Sequence, residues 1–427
     1  MKIAVGVRLA AVGAVMLAGM ASVPATAAGK VCDVKKYGAK GDGTTKDTDA
    51  VQKAIDECTA GTGGGTVEVP AGTYVIAPIS LKSNMTLHLA KDATLLGSPD
   101  MADYPKVVFA RHPTVQPLVG SVNEENITIN GEGVIDGNGH IWWDYVKGVP
   151  NAGVLGTDHP RPMGVVFDHS KHIKMEGVTV QNAGFWQIVP YYADHLVFRN
   201  IRILAPKSPN TDAIDPFSSS NIVIDHVFSS VGDDNIAIKS GEINSPGPDN
   251  PSKNIKINDC TFENGHGLSI GSEIAGGVQN VHAERIHFKG TDQGIRIKSA
   301  RDRGHDVSNI SYKDITMDDV KTALLVTEYY PSAPPAGTVP SVPVGRLTPK
   351  FHNIRIENVT ATNSGSAGYI VGLPESPVFD MTLKNVHLAG KTGLAVAYAK
   401  VKFDDVSVKP DAGDAIKVAP TATVTGK

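Results

Sequence analysis

The sequence predicts an all-β protein built as a parallel β-helix, a solenoid in which short strands stack coil upon coil. A short apolar–polar–apolar pattern, often opened by Asn, recurs from residue 126 onward. From His172 its copies begin 23, 26, 33, 26, 29, 44, 27 and 20 residues apart, which is the irregular period of a solenoid with loops of variable length. Glycine is abundant at 44 residues and no helical periodicity separates the copies, which favours turn-linked strands over helical repeats.

The repeats have the chemistry that stacked coils require. Their apolar residues would form inward ladders between successive coils. The recurring Asn suits the turns because it tolerates a left-handed backbone and its side-chain amide forms local hydrogen bonds. A propeller would repeat at roughly 40–50 residues, whereas an ordinary β-sandwich remains open on the pattern alone. The copies begin at Asn126, His172, His195, Asn221, Asn254, Asn280, Asn309, Asn353, Asp380 and Lys400.

The first residues have the pattern of a secretory signal peptide at 1–27. Lys2 and Arg8 give a positive start, an apolar run follows at 9–20, and small residues stand at 25–27. That run is shorter than the roughly 20 residues that span a bilayer. The sequence therefore predicts a secreted protein without a membrane anchor, whose residues 28–427 form a single domain.

An N-terminal helical cap is predicted ahead of the coils. Within residues 47–58, apolar residues recur at i, i+3, i+4 and i+7, so that one face of a helix is apolar. Cys32 and Cys58 flank a short N-terminal segment that includes this helix, and they are candidates for a disulfide in an exported protein. Cys260 is then left over, and we expect it to be buried. No CxxC pair is present to indicate a zinc or thiol-redox site.

The formal net charge of −4 gives no general attraction to nucleic acid or to anionic membranes. An acidic ligand would therefore need a local basic site.

Four short motifs follow one another over about ninety residues, and none is specific alone. Their phase in the repeat is informative, because features that recur once per coil stack on one face of a solenoid. Two of the charged residues are two positions apart on a predicted strand and so point the same way. The motifs are Asn210-Thr211-Asp212, Gly232-Asp233-Asp234, Gly265-His266-Gly267 and Arg296-Ile297-Lys298.

Three carboxylates, an imidazole and two cations on neighbouring coils predict a glycosidase for acidic sugars. Hydrolysis of a glycosidic bond needs one carboxylic acid to protonate the leaving oxygen and one carboxylate to activate water. Clustered carboxylates raise one another's pKa and can keep one protonated. Arg296 and Lys298 suit a carboxylate on each sugar.

As a set, these motifs and their order resemble the family-28 glycoside hydrolases, the polygalacturonases. The stretch 265–277 is especially similar to the bacterial members, and the runs 37–43 and 63–74 also resemble that family. The resemblance covers nearly all of the chain after the signal peptide. It implies a right-handed, single-stranded parallel β-helix, no metal or other cofactor, and hydrolysis of polygalacturonate (pectin) with inversion of configuration.

The resemblance also implies catalytic roles. Asp233 would be the general acid, and Asp212 and Asp234 would bind and activate water. His266 would tune the acid or hold substrate.

Substrate binding is implied for a second group. Arg296 and Lys298 would hold the galacturonate carboxylate beside the scissile bond, and Asn210 belongs to the first motif. A substrate-binding Tyr is expected after the strand at 323–328. Tyr330 fits that spacing, with Tyr329 beside it.

Several alternatives remain open. We expect endo action because no large inserted domain is apparent, but an exo-acting enzyme or a rhamnogalacturonan hydrolase would share the motifs. A calcium-dependent pectate lyase or a non-catalytic β-helix adhesin fits the charged set less well. The Pro-rich segment 331–349 breaks the repeat and is expected to form a loop beside the cleft. The chain is expected to act as a monomer.

Overall fold

The computed structural model describes residues 29–426 except 62, 154, 207, 333 and 336. The signal peptide predicted at 1–27 lies outside the described residues. Within them, no helix has both the length and the apolar character needed to cross a membrane.

The first part of the chain forms the cap and the first coils. Its helices are 3-10 helices at Val34–Tyr37 and Met101–Asp103, with α1 at Thr48–Thr59 and α2 at His140–Tyr145. Its strands are β1 (Lys30–Asp33), β2 (Asp42–Lys46), β3 (Gly65–Val69), β4 (Gly72–Ile76), β5 (Ile79–Ser80), β6 (Met85–Leu89), β7 (Ala93–Gly97), β8 (Lys106–Phe109), β9 (His112–Val115), β10 (Val119–Val122), β11 (Glu125–Gly131) and β12 (Val134–Asp136).

The remaining described chain consists of strands and loops. The strands are β13 (Val165–Asp168), β14 (Lys171–Glu176), β15 (Thr179–Gln181), β16 (Ile188–Tyr191), β17 (Asp194–Arg199), β18 (Arg202–Ala205), β19 (Ser220–Asp225), β20 (Phe228–Val231), β21 (Ile236–Ile238), β22 (Ser252–Asn258), β23 (Thr261–Glu263), β24 (Leu268–Ile270), β25 (Val278–Lys289), β26 (Gln293–Lys298), β27 (Asp306–Asp318), β28 (Thr322–Thr327), β29 (Lys350–Val371), β30 (Val378–Ala397), β31 (Ala399–Pro410), β32 (Ile416–Val418) and β33 (Thr423–Gly426).

Apart from β8 and β9, which pair with each other in antiparallel fashion, these strands form a right-handed parallel β-helix with three faces, which confirms the predicted fold. The first face stacks β1, β3, β6, β11 and the predicted repeats from β14 onward. The second face stacks β2, β4, β7, β12, β15, β18, β20 and β23. The third face stacks β5, β10, β13 and β16, continues through bridges at Ile214 and Phe217, and then runs through β21, β24, β26 and β28.

The predicted ladders and turns are both present on the first face. Ile222 and Ile255 pair in register, and both are buried. Asn221, Asn254 and Asn280 have φ of 57°. The amide of Asn254 donates to that of Asn221 at 2.9 Å, and Asn280 donates to Asn254 at 3.0 Å. The amide hydrogen bonds therefore satisfy the turns that the left-handed residues create.

The third face has an equally regular interior. Ile188, Ile214, Ile236, Leu268 and Ile295 lie over one another, and each is 0% exposed. Burial of each such side chain stabilises the fold by about 1.5–3 kcal/mol. Because side chains alternate along a strand, this ladder forces the neighbouring residues outward on the same face.

The N-terminal cap is built around α1. This helix buries its apolar face at Val51, Ala54, Ile55 and Cys58. Cys58 forms the expected disulfide with Cys32, with their Cα atoms 5.8 Å apart. The remaining cysteine, Cys260, is free and buried directly ahead of β23.

Candidate active site

The acidic motifs lie in the turn that leads from the second face to the third. Asp212 precedes the bridge at Ile214, Asp233 and Asp234 precede β21, and His266 precedes β24. The bridge at Ile214, strand β21 and strand β24 stack in register on the third face. These four side chains therefore come from three consecutive coils. The convergence predicted from the repeat phase is therefore present in the structure.

The cations come from the outer surface of the third face. Ile295 and Ile297 on β26 point into the core and are 0% exposed, so Arg296 and Lys298 point outward. Tyr330 follows the next strand, β28, and its ring lies 5.0 Å from Lys298 Nζ and 5.6 Å from Arg296 Cζ. Tyr330 lines the cleft in front of these residues, whereas Tyr329 does not.

Asp234 is the centre of the site. Arg296 donates a hydrogen bond to its Oδ1 at 2.8 Å, and Lys298 donates to its Oδ2 at 2.8 Å. Ser269 donates to Oδ1 at 2.7 Å. Burial opposes ionisation of Asp234, but Lys298 and Arg296 outweigh it and hold the pKa far below its usual range. Asp234 is therefore a carboxylate at any ordinary pH.

Asp233 has a different partner. His266 Nδ1 lies 2.9 Å from its Oδ1, and the Asn210 amide donates to its Oδ2 at 3.3 Å. Burial favours the neutral acid, but the hydrogen bond and charge of His266 outweigh it and lower the pKa of Asp233. The same pairing raises the pKa of His266 against the effect of its burial. The pairing therefore favours a carboxylate at Asp233 and an imidazolium at His266.

The two glycines beside His266 are required by the backbone. Gly265 and Gly267 have φ of 68° and 74°. A Cβ at Gly267 would lie 2.0 Å from the carbonyl oxygen of Gln293 in the next coil. The Gly-His-Gly motif therefore brings the turn against its neighbour and holds His266 next to Asp233.

Asp212 belongs to a buried cluster of charges. Lys239 Nζ lies 3.8 Å from Asp212 and 3.7 Å from Glu273, and it also lies 5.1 Å from the centre of the Trp186 ring. Burial raises the pKa of Asp212 well above its usual value, and the nearby Asp215 adds to this effect. The clustering predicted to keep one carboxyl protonated therefore acts at Asp212 and Asp215, whereas Asp233 and Asp234 are shifted downward.

Six of the eight predicted site residues line a cleft of about 520 Å³ on the third face, whereas His266 and Arg296 contact those residues without lining it. Asn210, Asp212, Asp233, Asp234, Lys298 and Tyr330 line it directly. Arg296 lies behind Lys298 and Asp234 and is 8% exposed. Pro331, the first residue of the Pro-rich segment, also lines the cleft, as expected for a loop beside it.

Two groups of side chains have the spacing to hold a metal ion within the described residues. One consists of Asp233, Asp234 and His266. There the two cations at 2.8 Å from Asp234 would oppose a further positive charge. The other consists of Asp225, His226 and Asp259 at the surface, where Arg199 and Arg285 already pair with the two carboxylates. The arrangement in the cleft favours acid–base chemistry.

Several side chains of the site lie outside the four sequence motifs. Lys239 was identifiable in principle, because it points outward from the run Ile236–Ile238 as Lys298 does from β26. Glu273 lies inside the stretch 265–277 but matches none of the motifs. Arg161 left no local signal, although it donates to Asn210 Oδ1 at 2.8 Å and so positions that amide.

Comparisons with known proteins agree with this geometry. The sequence profile described as glycosyl hydrolases family 28 matches residues 58–407. A "Probable polygalacturonase" of Vitis vinifera is 32% identical over 373 residues, which cover 83% of this chain and 74% of the relative. An "Endo-polygalacturonase" of Pectobacterium carotovorum subsp. carotovorum is 28% identical over 381 residues, which cover 85% of this chain and 89% of the relative.

A solved structure shares the architecture. The crystal structure of a hyperthermoactive exopolygalacturonase from Thermotoga maritima superposes with a TM-score of 0.78 at 27% identity, covering 90% of this chain and 93% of that one. The profile match extends over most of the chain and includes all four motifs. The chain therefore belongs to glycosyl hydrolase family 28 and is a glycoside hydrolase.

Proposed function

We propose that this enzyme hydrolyses the α-1,4-galacturonosidic bonds of polygalacturonate, the pectin backbone, with inversion of configuration. One observation carries the proposal. Asp234 is a buried carboxylate held between Arg296 and Lys298 in a cleft that also contains Asp212 and Asp233. Acid, base and cations therefore lie together where a charged sugar would bind.

Each carboxyl group has a role in a balanced reaction. Asp233 gives a proton to the leaving glycosidic oxygen as its bond to C1 breaks. A water molecule held by Asp212 and Asp234 forms the new bond to C1 and passes its proton to Asp234, the ionised carboxylate of the two. The products are a new reducing end and a new non-reducing end, and the acid regains a proton from solvent.

The lowered pKa of Asp233 in the free enzyme bears on its role as acid. A galacturonate carboxylate next to Asp233 adds negative charge, which raises the pKa of that group. Bound substrate thus favours the protonated form that catalysis requires. His266, as the partner that lowers this pKa, sets the upper pH at which the acid remains protonated.

The cations support a uronate rather than a neutral sugar. Lys298 faces the cleft beside Tyr330. A substrate carboxylate in the cleft would accept a charge-assisted hydrogen bond from Lys298 Nζ, while Arg296 adds its positive charge from behind. This observation favours polygalacturonate over substrates without a carboxylate at the same position.

The deciding experiment is incubation of the purified protein with polygalacturonic acid in EDTA, with Asp233→Asn as the matched control. We expect new reducing ends without the ultraviolet absorbance of unsaturated uronides, and no product from the variant. Absorbance that depends on calcium would identify a lyase instead. Activity on rhamnogalacturonan alone would identify the related hydrolase.

The cellular setting follows from the same proposal. A polymer of the plant cell wall is met outside the cell, in line with the predicted signal peptide at 1–27. The Cys32–Cys58 disulfide is typical of exported proteins. We further propose that residues 28–427 act as a single catalytic domain and as a monomer.

A further inference from the structure

An antiparallel hairpin interrupts the parallel coils near their start. Strands β8 and β9 pair with Phe109 opposite His112, so that only Ala110 and Arg111 form the turn. Both turn residues have positive φ, 46° and 65°. A two-residue turn with this backbone prefers Asn and Gly, because other residues pay a steric cost there. An observed strain of this kind motivates a search for a function at the tip.

The hairpin lies on the outer surface of the third face. Phe109 packs in a buried cluster with Val166, Val189 and Phe217, which point outward from successive coils. Their neighbours Val165 and Ile188 belong to the interior core. The outer surface covered by the hairpin continues, in later coils, as the surface that carries Lys239, Arg296 and Lys298. The hairpin therefore occupies the end of the cleft that faces the N terminus.

The tip of the hairpin is joined to a loop more than a hundred residues away. Arg111 Nη2 donates to Asp249 at 3.0 Å, and its Nε donates to Glu242 at 3.2 Å. His112 Nε2 lies 2.8 Å from Glu242. Arg346, from the Pro-rich segment, adds an ion pair with Asp249 at 3.8 Å.

These contacts run across the third face from one edge to the other. The hairpin precedes β10 and so arises at the edge where the chain enters this face. Glu242 and Asp249 follow β21 and arise at the edge where the chain leaves it. Four coil steps separate β10 from β21, or about 19 Å at about 4.8 Å per coil. The hairpin therefore extends along the third face, and Arg111 at its tip pairs with Glu242 and Asp249 at the opposite edge.

The contacts of Arg111 and His112 with Glu242 lie beside the catalytic groups. His112 and Glu242 line the same cleft as Asp212, Asp233 and Lys239. A polymer laid along the face toward the N terminus would have to pass through the pairs of Arg111 and His112 with Glu242. A depression of about 700 Å³ adjoins the cleft at Asn210 and would be the other route for a long chain.

We propose that the hairpin 106–115 and the loop 241–249 form a clasp that closes one end of the cleft and makes the enzyme attack polygalacturonate from a chain end. The inference rests on the proposed function, which it deepens by specifying the mode of attack. It favours exo action, in contrast to the endo action expected from the absence of a large inserted domain. The insertion is small, but it lies across the path of the polymer.

The first test follows the native enzyme on polygalacturonic acid, with reducing ends, viscosity and product sizes measured from the earliest times. The clasp predicts short products of one size from the start, with little loss of viscosity for each bond broken. A ladder of mixed oligomers with an early fall in viscosity would overturn the clasp and leave the proposed hydrolase intact. The absence of new reducing ends would overturn both.

The second test opens the clasp. Glu242→Lys places a cation opposite Arg111 and His112, so that attraction becomes repulsion. We expect longer oligomers and a larger fall in viscosity per reducing end than for the native enzyme. A variant in which a Gly-Gly turn replaces 107–114 removes the hairpin entirely and should shift the products further. If this deletion variant does not fold, the products of Glu242→Lys still test the clasp.

The matched control is Arg199→Ala. Arg199 is as exposed as Arg111, with side chains 44% accessible, and it pairs with Asp225 at 2.9 Å on another face. Its product distribution should equal that of the native enzyme. Unchanged products from a folded Glu242→Lys variant would refute the clasp as the determinant of the mode of attack.

Discussion

The pair between Lys298 and Asp234 gives the sharpest prediction. Both side chains are buried, with 5% and 1% of their surfaces exposed. Lys298→Met keeps most of the volume of the side chain and removes its charge. Asp234 would retain Arg296 and Ser269 as partners. The variant should therefore fold, while Asp234, the proposed base, and the proposed contact to the substrate carboxylate are both weakened.

The size of the effect follows from the lost hydrogen bond. A bond between charged groups contributes about 1.5–3 kcal/mol. If Lys298 makes such a contact in the transition state, kcat/KM on polygalacturonate should fall roughly 10- to 150-fold. The free energy of unfolding should fall by about 1–3 kcal/mol, because one buried acceptor loses a partner.

The pH dependence separates the two roles of Lys298. Its charge lowers the pKa of Asp234, so its removal raises that pKa. Asp234 must be ionised to act as base, and activity is lost as pH falls through its pKa. The acidic limb of kcat/KM should therefore move to higher pH in the variant. A role limited to holding substrate would raise KM and leave that limb unchanged.

The assay is the release of reducing ends from polygalacturonate across pH, together with thermal unfolding. Lys171→Met is the control, because Lys171 pairs with Glu125 at the surface and its side chain is 56% exposed. Such a pair contributes about 0–1 kcal/mol. A native-like kcat/KM and pH profile for Lys298→Met would refute the assignment of Lys298 to the site.

Three further predictions concern other parts of the molecule. Asp233→Asn should abolish turnover but leave unfolding and oligogalacturonate binding near native, because the amide cannot donate the catalytic proton. His266→Asn should move the alkaline limb of the pH profile upward, because the pKa of Asp233 rises without its partner and the acid stays protonated to higher pH. Replacing Cys32 and Cys58 by Ser should destabilise the cap by about 3.5 kcal/mol, from the loop of 26 residues that the disulfide closes, as measured by denaturant unfolding.

Each of these has its own contrary result. Near-normal turnover by Asp233→Asn would remove that residue as the acid. An alkaline limb unchanged or lowered in His266→Asn would show that His266 does not set the pKa of Asp233. Equal stability of the native protein with and without reductant would show that the disulfide does not stabilise the cap. Cys260→Ser is the control for replacing a cysteine outside the disulfide.

Local chemistry in the sequence was sufficient for the fold and for the core of the site. Alternation of apolar and polar residues determines which side chains enter the interior, and an Asn such as Asn254 marks many of the turns. A one-residue change in register would expose a whole ladder to water, so the phase of the repeats is fixed. That phase alone assigns Asp212, Asp233, His266 and Arg296 to neighbouring coils on one side of the solenoid.

Only the tertiary structure decided the electrostatics of the site. Asp212, Asp233 and Asp234 are the same residue type in similar turns, yet their pKa values shift in different directions. The difference depends on which cations reach each carboxylate through space. Lys239 and Glu273, which complete the cluster around Asp212, lie outside every recognised motif.

The shape of the cleft was likewise invisible in the sequence. Arg111 and Glu242 are 131 residues apart, and each lies in a connection whose path no local periodicity determines. Loops meet where the coils beneath them bring their ends close, and their side chains pair only once the whole face has assembled. The sequence therefore determined the chemistry of this enzyme, and the packed solenoid determined how a substrate can reach it.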